Sequence, residues 1–205
     1  MTKLGSLVVG KKNKITVMGI LNISPESFYK NSIKSTKSQI SKYVSEMEEN
    51  GAEIIDVGGM STAPYLRTIV SEKVESERVT KAIKIIQNSS NIPISVDTCR
   101  ATVANTALEL GIDVINDISG LKYDKNMPKI IEKYNPSLIL CPYSKNTVKG
   151  NPISETKKLL NESIKIALNA HIPKEKIVVD PAIGFFRRPS DVKNKLPYTK
   201  IISNW

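Results

Sequence analysis

A chain of 205 residues, 40% of them apolar, is long enough for one substantial core and suits a single domain. None of its apolar runs approaches the roughly 18–20 residues of a membrane span, and residues 1–14 carry four lysines with no apolar stretch of signal-peptide length, so a soluble cytoplasmic protein without a membrane partner is expected. The net charge of +10 comes from lysines scattered along predicted helices rather than from a basic–aromatic stripe, which argues against a nucleic-acid partner, and two distant cysteines with a single histidine argue against zinc.

Strand-like and helix-like segments alternate from the first apolar run onward. Ile- and Val-rich strands are predicted at 15–23, 53–58, 92–97, 114–118, 138–142 and 177–181. Their nearly continuous apolar character suits strands covered on both faces in a parallel sheet. Helices are predicted at 38–50, 71–88, 100–110, 127–133 and 153–169, with apolar positions at helical spacing, as in Val74, Val79, Ala82, Ile83 and Ile86. Gly51 and Gly111 fall just past two of these helices as C-terminal stops. A last helix near Asp191 is interrupted by Pro197. Six βα units define an α/β protein, either an open doubly wound sheet or a TIM-type (β/α) barrel. A complete barrel takes about 250 residues. As a barrel, the chain holds about six of eight units: a single domain over 1–205 that is C-terminally incomplete, with two open sheet edges expected to make it poorly soluble or to close against another chain.

A polar residue closes each predicted strand. Strand one ends at Asn22, strand two at Asp56 before Gly58-Gly-Met-Ser-Thr62, and strand three at Asp97 and Thr98. Strand four ends at Asn116 and Asp117, strand five at Cys141 and Tyr143, and strand six at Asp180 followed by Gly184. In a closed barrel these residues share one mouth. Carboxylates and amides without a Ser/His pair suit a nitrogen-rich heterocycle, whose ring N–H and amino groups need fixed acceptors. Plainer roles compete at single positions. Asp97 precedes a helix and could be only its cap, and Asn116-Asp117 only a turn pair. His171, after a helix and near Pro173, reads as a surface residue.

Five segments, Met18-Gly-Ile-Leu-Asn-Ile-Ser-Pro-Glu-Ser-Phe28, Gly51-Ala-Glu-Ile-Ile-Asp-Val-Gly-Gly-Met-Ser-Thr62, Ile94-Ser-Val-Asp-Thr98, Val114-Ile-Asn-Asp-Ile-Ser-Gly120 and Val179-Asp-Pro-Ala-Ile-Gly-Phe185, give the chain its resemblance to the dihydropteroate synthases of the pterin-binding barrel family. The resemblance implies a transferase that condenses 6-hydroxymethyl-7,8-dihydropterin pyrophosphate with an arylamine and releases pyrophosphate. It implies catalytic roles for Asp97, Asn116 and Asp180, which also read the pterin edge. It further implies that Asn22 ligates Mg²⁺ at the leaving pyrophosphate, that Ser61 and Thr62 help place the amine, and that Gly184 and Phe185 line the ring pocket. The chain departs from the family pattern at Ala63, where an arginine is usual, at Cys141-Pro-Tyr143, and at Phe186-Arg187-Arg188. The family's late Lys-x-Ser-Arg, Arg and His positions would lie beyond residue 205. These departures leave the amine open between p-aminobenzoate, for folate, and a ribosylated aminobenzene phosphate, for methanopterin. A methyltetrahydrofolate-binding methyltransferase barrel, or a non-catalytic pterin-binding module, are the alternatives. The partners implied are small molecules, and the family's common dimers leave room for a homodimer.

Overall fold

The structure is a computed structural model and describes residues 1–10, 13–23, 36–60, 70–144 and 151–182. A short hairpin, β1 (Thr2–Leu4) and β2 (Leu7–Val9), precedes the alternating elements. Then follow β3 (Val17–Asn22), α1 (Lys37–Glu49), β4 (Ala52–Gly58), α2 (Glu72–Gln87) and β5 (Ile94–Asp97). The series continues with α3 (Ala101–Glu109), β6 (Val114–Asp117), α4 (Met127–Tyr134), β7 (Ser137–Leu140), α5 (Pro152–Asn169) and β8 (Ile177–Val179). The six predicted strands and five predicted helices between 15 and 181 are present, with ends shifted by a few residues, and the helix predicted near Asp191 lies outside the described residues. Ile15, predicted as strand, is 90% exposed and precedes β3.

Local chemistry sets the helix limits. Thr36 caps α1 in a reciprocal box with Gln39. Ser71 caps α2, and Asn151 caps α5 ahead of Pro152. Gly51 and Gly111 have φ of +94° and +85°, values that make them the predicted helix stops.

Strands β3 to β8 form one parallel sheet in unbroken sequence order, each joined to the next through a helix. A doubly wound sheet must reverse its strand order at a switch point. This one never does, so it winds in one direction, as the wall of a (β/α) barrel does. Burial confirms two faces. Leu21, Ile55, Val57, Val96, Ile115 and Leu138 pack with the helices in the larger core. Ile54, Val114 and Ile139, with Met18 and Val178, turn the other way and pack on Leu4 of the hairpin. Neighbours on one strand thus belong to different cores, as the two-residue period of a strand requires.

The hairpin was not foreseen. Its three-residue strands are too short for periodicity to register. Gly5 turns it at φ +61° and donates its N–H to Ser137 Oγ (3.0 Å). Between the hairpin, β3 and β8 opens a cavity of about 650 Å³ walled by Ile15, Met18, Ile54, Ile139 and Val178. Among the described residues, β3 and β8 each have one strand neighbour.

Candidate active site

The inner face is layered. Met18, Ile54, Val114, Ile139 and Val178 make an apolar floor. Two residues further along, the same face becomes polar on three of these strands: Asp56 on β4, Asn116 on β6, and Asp180 just past β8, while β3 continues with Ile20 and β7 with Cys141. Asn116 Nδ2 donates to Asp56 Oδ2 at 2.9 Å, although β5 runs between their strands. Strands two apart in a flat sheet lie nearly 10 Å from each other. This contact therefore requires the sheet to curl with its polar residues on the concave side.

Asp97 lies beside Asn116 in the strand register, and Asn22 and Asp97 flank Gly58, two residues beyond Asp56. A Cβ at Gly58 would stand 2.9 Å from Asn22 Oδ1 and 3.9 Å from Asp97 Oδ2. A side chain at Gly58 would therefore crowd the Asn22 amide. Asp180 accepts the Ala182 N–H (2.8 Å) and lies close enough to the Cys141 thiol to take part in its titration. Asn22, Asp97, Asn116 and Asp180 therefore gather at one rim. Ser61, Thr62, Gly184 and Phe185 lie outside the described residues, as do Ala63 and Arg187-Arg188.

Electrostatics mark the rim as a strained collection of acids. Burial first, then the like charges of Asp56, Asp117 and Glu75, push Asp97 well above the usual carboxylate range. Asp56 is raised by burial, against the pull of Ser95 and the Asn116 amide. One oxygen of each, Asp56 Oδ1 and Asp97 Oδ1, is buried without a hydrogen-bond partner. Buried carboxylate oxygens left so are rare in a finished core and common where a ligand supplies donors. Burial also pushes the Cys99 thiol up to about 12 and the Cys141 thiol higher still, so neither serves as a nucleophile.

Neighbouring polar residues turn out to be structural. Asp117 faces away from the concave side. Its Oδ1 accepts from the Ser119 N–H and hydroxyl (both 2.7 Å), and its Oδ2 accepts from the Leu121 N–H (2.9 Å). The turn role thus belongs to Asp117 and not to Asn116. Asp97 is not a helix cap either. The first free N–H of α3, on Ala101, is taken by Asp124 Oδ2 at 2.9 Å. Thr98 donates to Glu75 Oε1 (2.7 Å), and Arg100 Nη1 binds Glu75 Oε2 (2.7 Å), both within the core. That buried trio fixes the β5–α3 turn directly behind Asp97. Sequence reading missed it because Glu75 looks like an ordinary first-turn acid on an exposed helix. His171 is exposed and pairs with Glu132, as expected.

Among the described residues no cluster of three His, Cys, Asp or Glu side chains could cage a metal. The donor at the rim is the single amide oxygen of Asn22. It fits a hard cation that brings most of its own ligands as water and phosphate oxygens, the habit of Mg²⁺.

A curled, singly wound parallel sheet with an apolar floor and a rim of carboxylates and amides at its C-terminal end defines a (β/α)-barrel enzyme. The profile of the pterin binding enzyme family matches residues 18–199. The chain is 43% identical to the dihydropteroate synthase of Clostridium beijerinckii over 183 residues, covering 89% of this chain and 68% of that protein. It is 37% identical to the dihydropteroate synthase of Bacillus subtilis, covering 90% of this chain and 66% of that one. The crystal structure of Clostridium difficile dihydropteroate synthase in the presence of pteroic acid superposes with a TM-score of 0.75 at 33% identity, covering 88% of this chain and 68% of that one. The chain thus spans about two thirds of the length of these relatives. It belongs to the pterin binding enzyme family, among the dihydropteroate synthases, which are transferases. No helix of the described residues is long and apolar enough to cross a membrane.

Proposed function

We propose that the chain condenses 6-hydroxymethyl-7,8-dihydropterin pyrophosphate with p-aminobenzoate, releasing pyrophosphate, as a step of folate synthesis. The observation that carries this reading is the convergence of Asp97, Asn116 and Asp180 on one concave rim, with buried carboxylate oxygens that lack donors. A pterin carries a cyclic amide, ring nitrogens and an amino group along one edge. It can supply those donors, and its amino group can donate to the Asn116 amide oxygen as well.

Asp97 and Asp180 hold the ring by its N–H groups. Their charge also favours a transition state in which the methylene carbon becomes cationic as pyrophosphate leaves. The arylamine then attacks that carbon, and its excess proton departs to solvent or to released pyrophosphate. Holding both reactants in line supplies much of the rate. Ser61, Thr62, Gly184 and Phe185 complete the amine and ring contacts in this reading. Asn22 would hold Mg²⁺ through Oδ1. The chemistry such an ion would supply there is neutralisation of the leaving group's charge. Support for p-aminobenzoate comes from the relatives, since the Clostridium difficile enzyme was crystallised in the presence of pteroic acid, the pterin–aminobenzoate conjugate.

Turnover tests it. Pyrophosphate release is measured with the pterin pyrophosphate and either p-aminobenzoate or a ribosylated aminobenzene phosphate. Release with the first amine is expected, with Asn22→Ala raising the Mg²⁺ needed for half-maximal rate by about tenfold. Release only with the ribosylated amine would move the chain to methanopterin synthesis. Release with neither would overturn the reading.

A further inference from the structure

We propose that Asp56 is a positioning residue that fixes which edge of the Asn116 amide reads the ligand. The proposal rests on the pterin reading above and deepens it. Asp56 is 4% exposed and lies one layer below the rim. An ionised carboxylate only accepts hydrogen bonds. The 2.9 Å contact therefore draws the Asn116 NH₂ toward Asp56 and turns the amide oxygen to the opposite edge. Left alone, an asparagine amide at a half-buried position can rotate by half a turn at little cost, exchanging acceptor for donor. Asp56 removes that freedom, because the rotated amide would set its oxygen against a buried carboxylate. The consequence for recognition is specific: at the Asn116 position the rim prefers a ligand group that donates, such as an amino group, and disfavours one that accepts.

The second oxygen strengthens the assignment. Asp56 Oδ1 is buried without a well-formed hydrogen bond, and Ser95, opposite Asp56 in the β4–β5 register, only pulls on the carboxylate through its hydroxyl. A carboxylate kept only for stability would be expected to use both oxygens in the core, as Asp117 does in its turn. Asp56 instead spends its one formed side-chain bond on Asn116.

The test compares two probes by calorimetry: 6-hydroxymethylpterin, with a 2-amino donor, and 6-hydroxymethyllumazine, with a 2-oxo acceptor in its place. Wild type is expected to prefer the pterin. Asp56→Leu is expected to lower the ratio of the two affinities by about tenfold or more, since the freed amide can then face either group. Asp56→Asn keeps an acceptor oxygen for Asn116 and is expected to hold the ratio within about threefold. It also serves if the leucine variant fails to fold. In an Asn116→Ala background the Asp56 substitutions are expected to leave the ratio unmoved. A leucine variant that weakens both probes equally, an Asp56→Asn variant whose ratio falls to one, or an Asp56 effect that persists without Asn116 would overturn the proposal. Failure of the wild type to bind 6-hydroxymethylpterin at all would instead overturn the pterin reading itself.

Discussion

Asp97 carries a conflict that only a binding role resolves. Its burial and the charges of Asp56, Asp117 and Glu75 disfavour ionisation, and one of its oxygens has no donor. Asp97→Asn is therefore expected to make the unliganded protein more stable at pH 7, seen as a higher urea midpoint, while weakening pterin binding. A pH series adds a second check. Asp117 titrates near 6 in the fold against the usual 3.8, raised by burial, and Asp97 is also raised. The folded state thus keeps protons that the unfolded chain gives up. Stability from these acids is full below about pH 4 and is lost as pH rises through about 6 and beyond. Urea midpoints should fall over that window, and fall less in Asp97→Asn. Asn22, Asp97, Asn116 and Asp180 were legible in the sequence because each follows an apolar run at a strand's end. Asp56 was visible at the same stage, yet its grip on Asn116 was not, because that contact depends on how far the sheet curls across β5.

Among the elements, β5, α2 and α3 are locked by one buried ion pair. Glu75 and Arg100 side chains are 1% and 6% exposed, and Thr98 closes the group. Glu75→Ala leaves a buried guanidinium unpaired and is expected to cost ~3–5 kcal/mol in chemical denaturation. The exposed Lys42–Glu46 pair on α1, at 3.7 Å, should matter by no more than about 0.5 kcal/mol when cut. Close packing of α1 on β3 has its own requirement. A Cβ at Gly19 would come within 2.6 Å of Met47 Sδ and 3.0 Å of Ile55 Cδ1. Element types and order were readable because each strand is an apolar run and each helix has an apolar stripe and a stop. The Glu75–Arg100 link was not, since its partners are 25 residues apart and nothing local ties them.

At the scale of the molecule, an apolar floor and a polar rim are separate structures on the same strands. Leu4 of the hairpin is 6% exposed and packs with Ile54, Val114 and Ile139 beneath the site. Leu4→Ala is expected to cost ~2–4 kcal/mol in thermal or urea unfolding, with pterin affinity unchanged in the folded protein. Hairpin and floor escaped sequence reading for one reason: three-residue strands have no period, and their partners come from five different elements. The central claim is that residues from β5, β6 and the end of β8 bind one bicyclic ring together. It is tested most directly by titrating the full chain with 6-hydroxymethylpterin in a calorimeter, wild type beside Asp97→Asn and Asp180→Asn. The account predicts saturable one-to-one binding that each substitution weakens by at least about tenfold, since each turns an acceptor that faces the ring's N–H groups into a mismatched donor. Affinity left unchanged by both substitutions would contradict it.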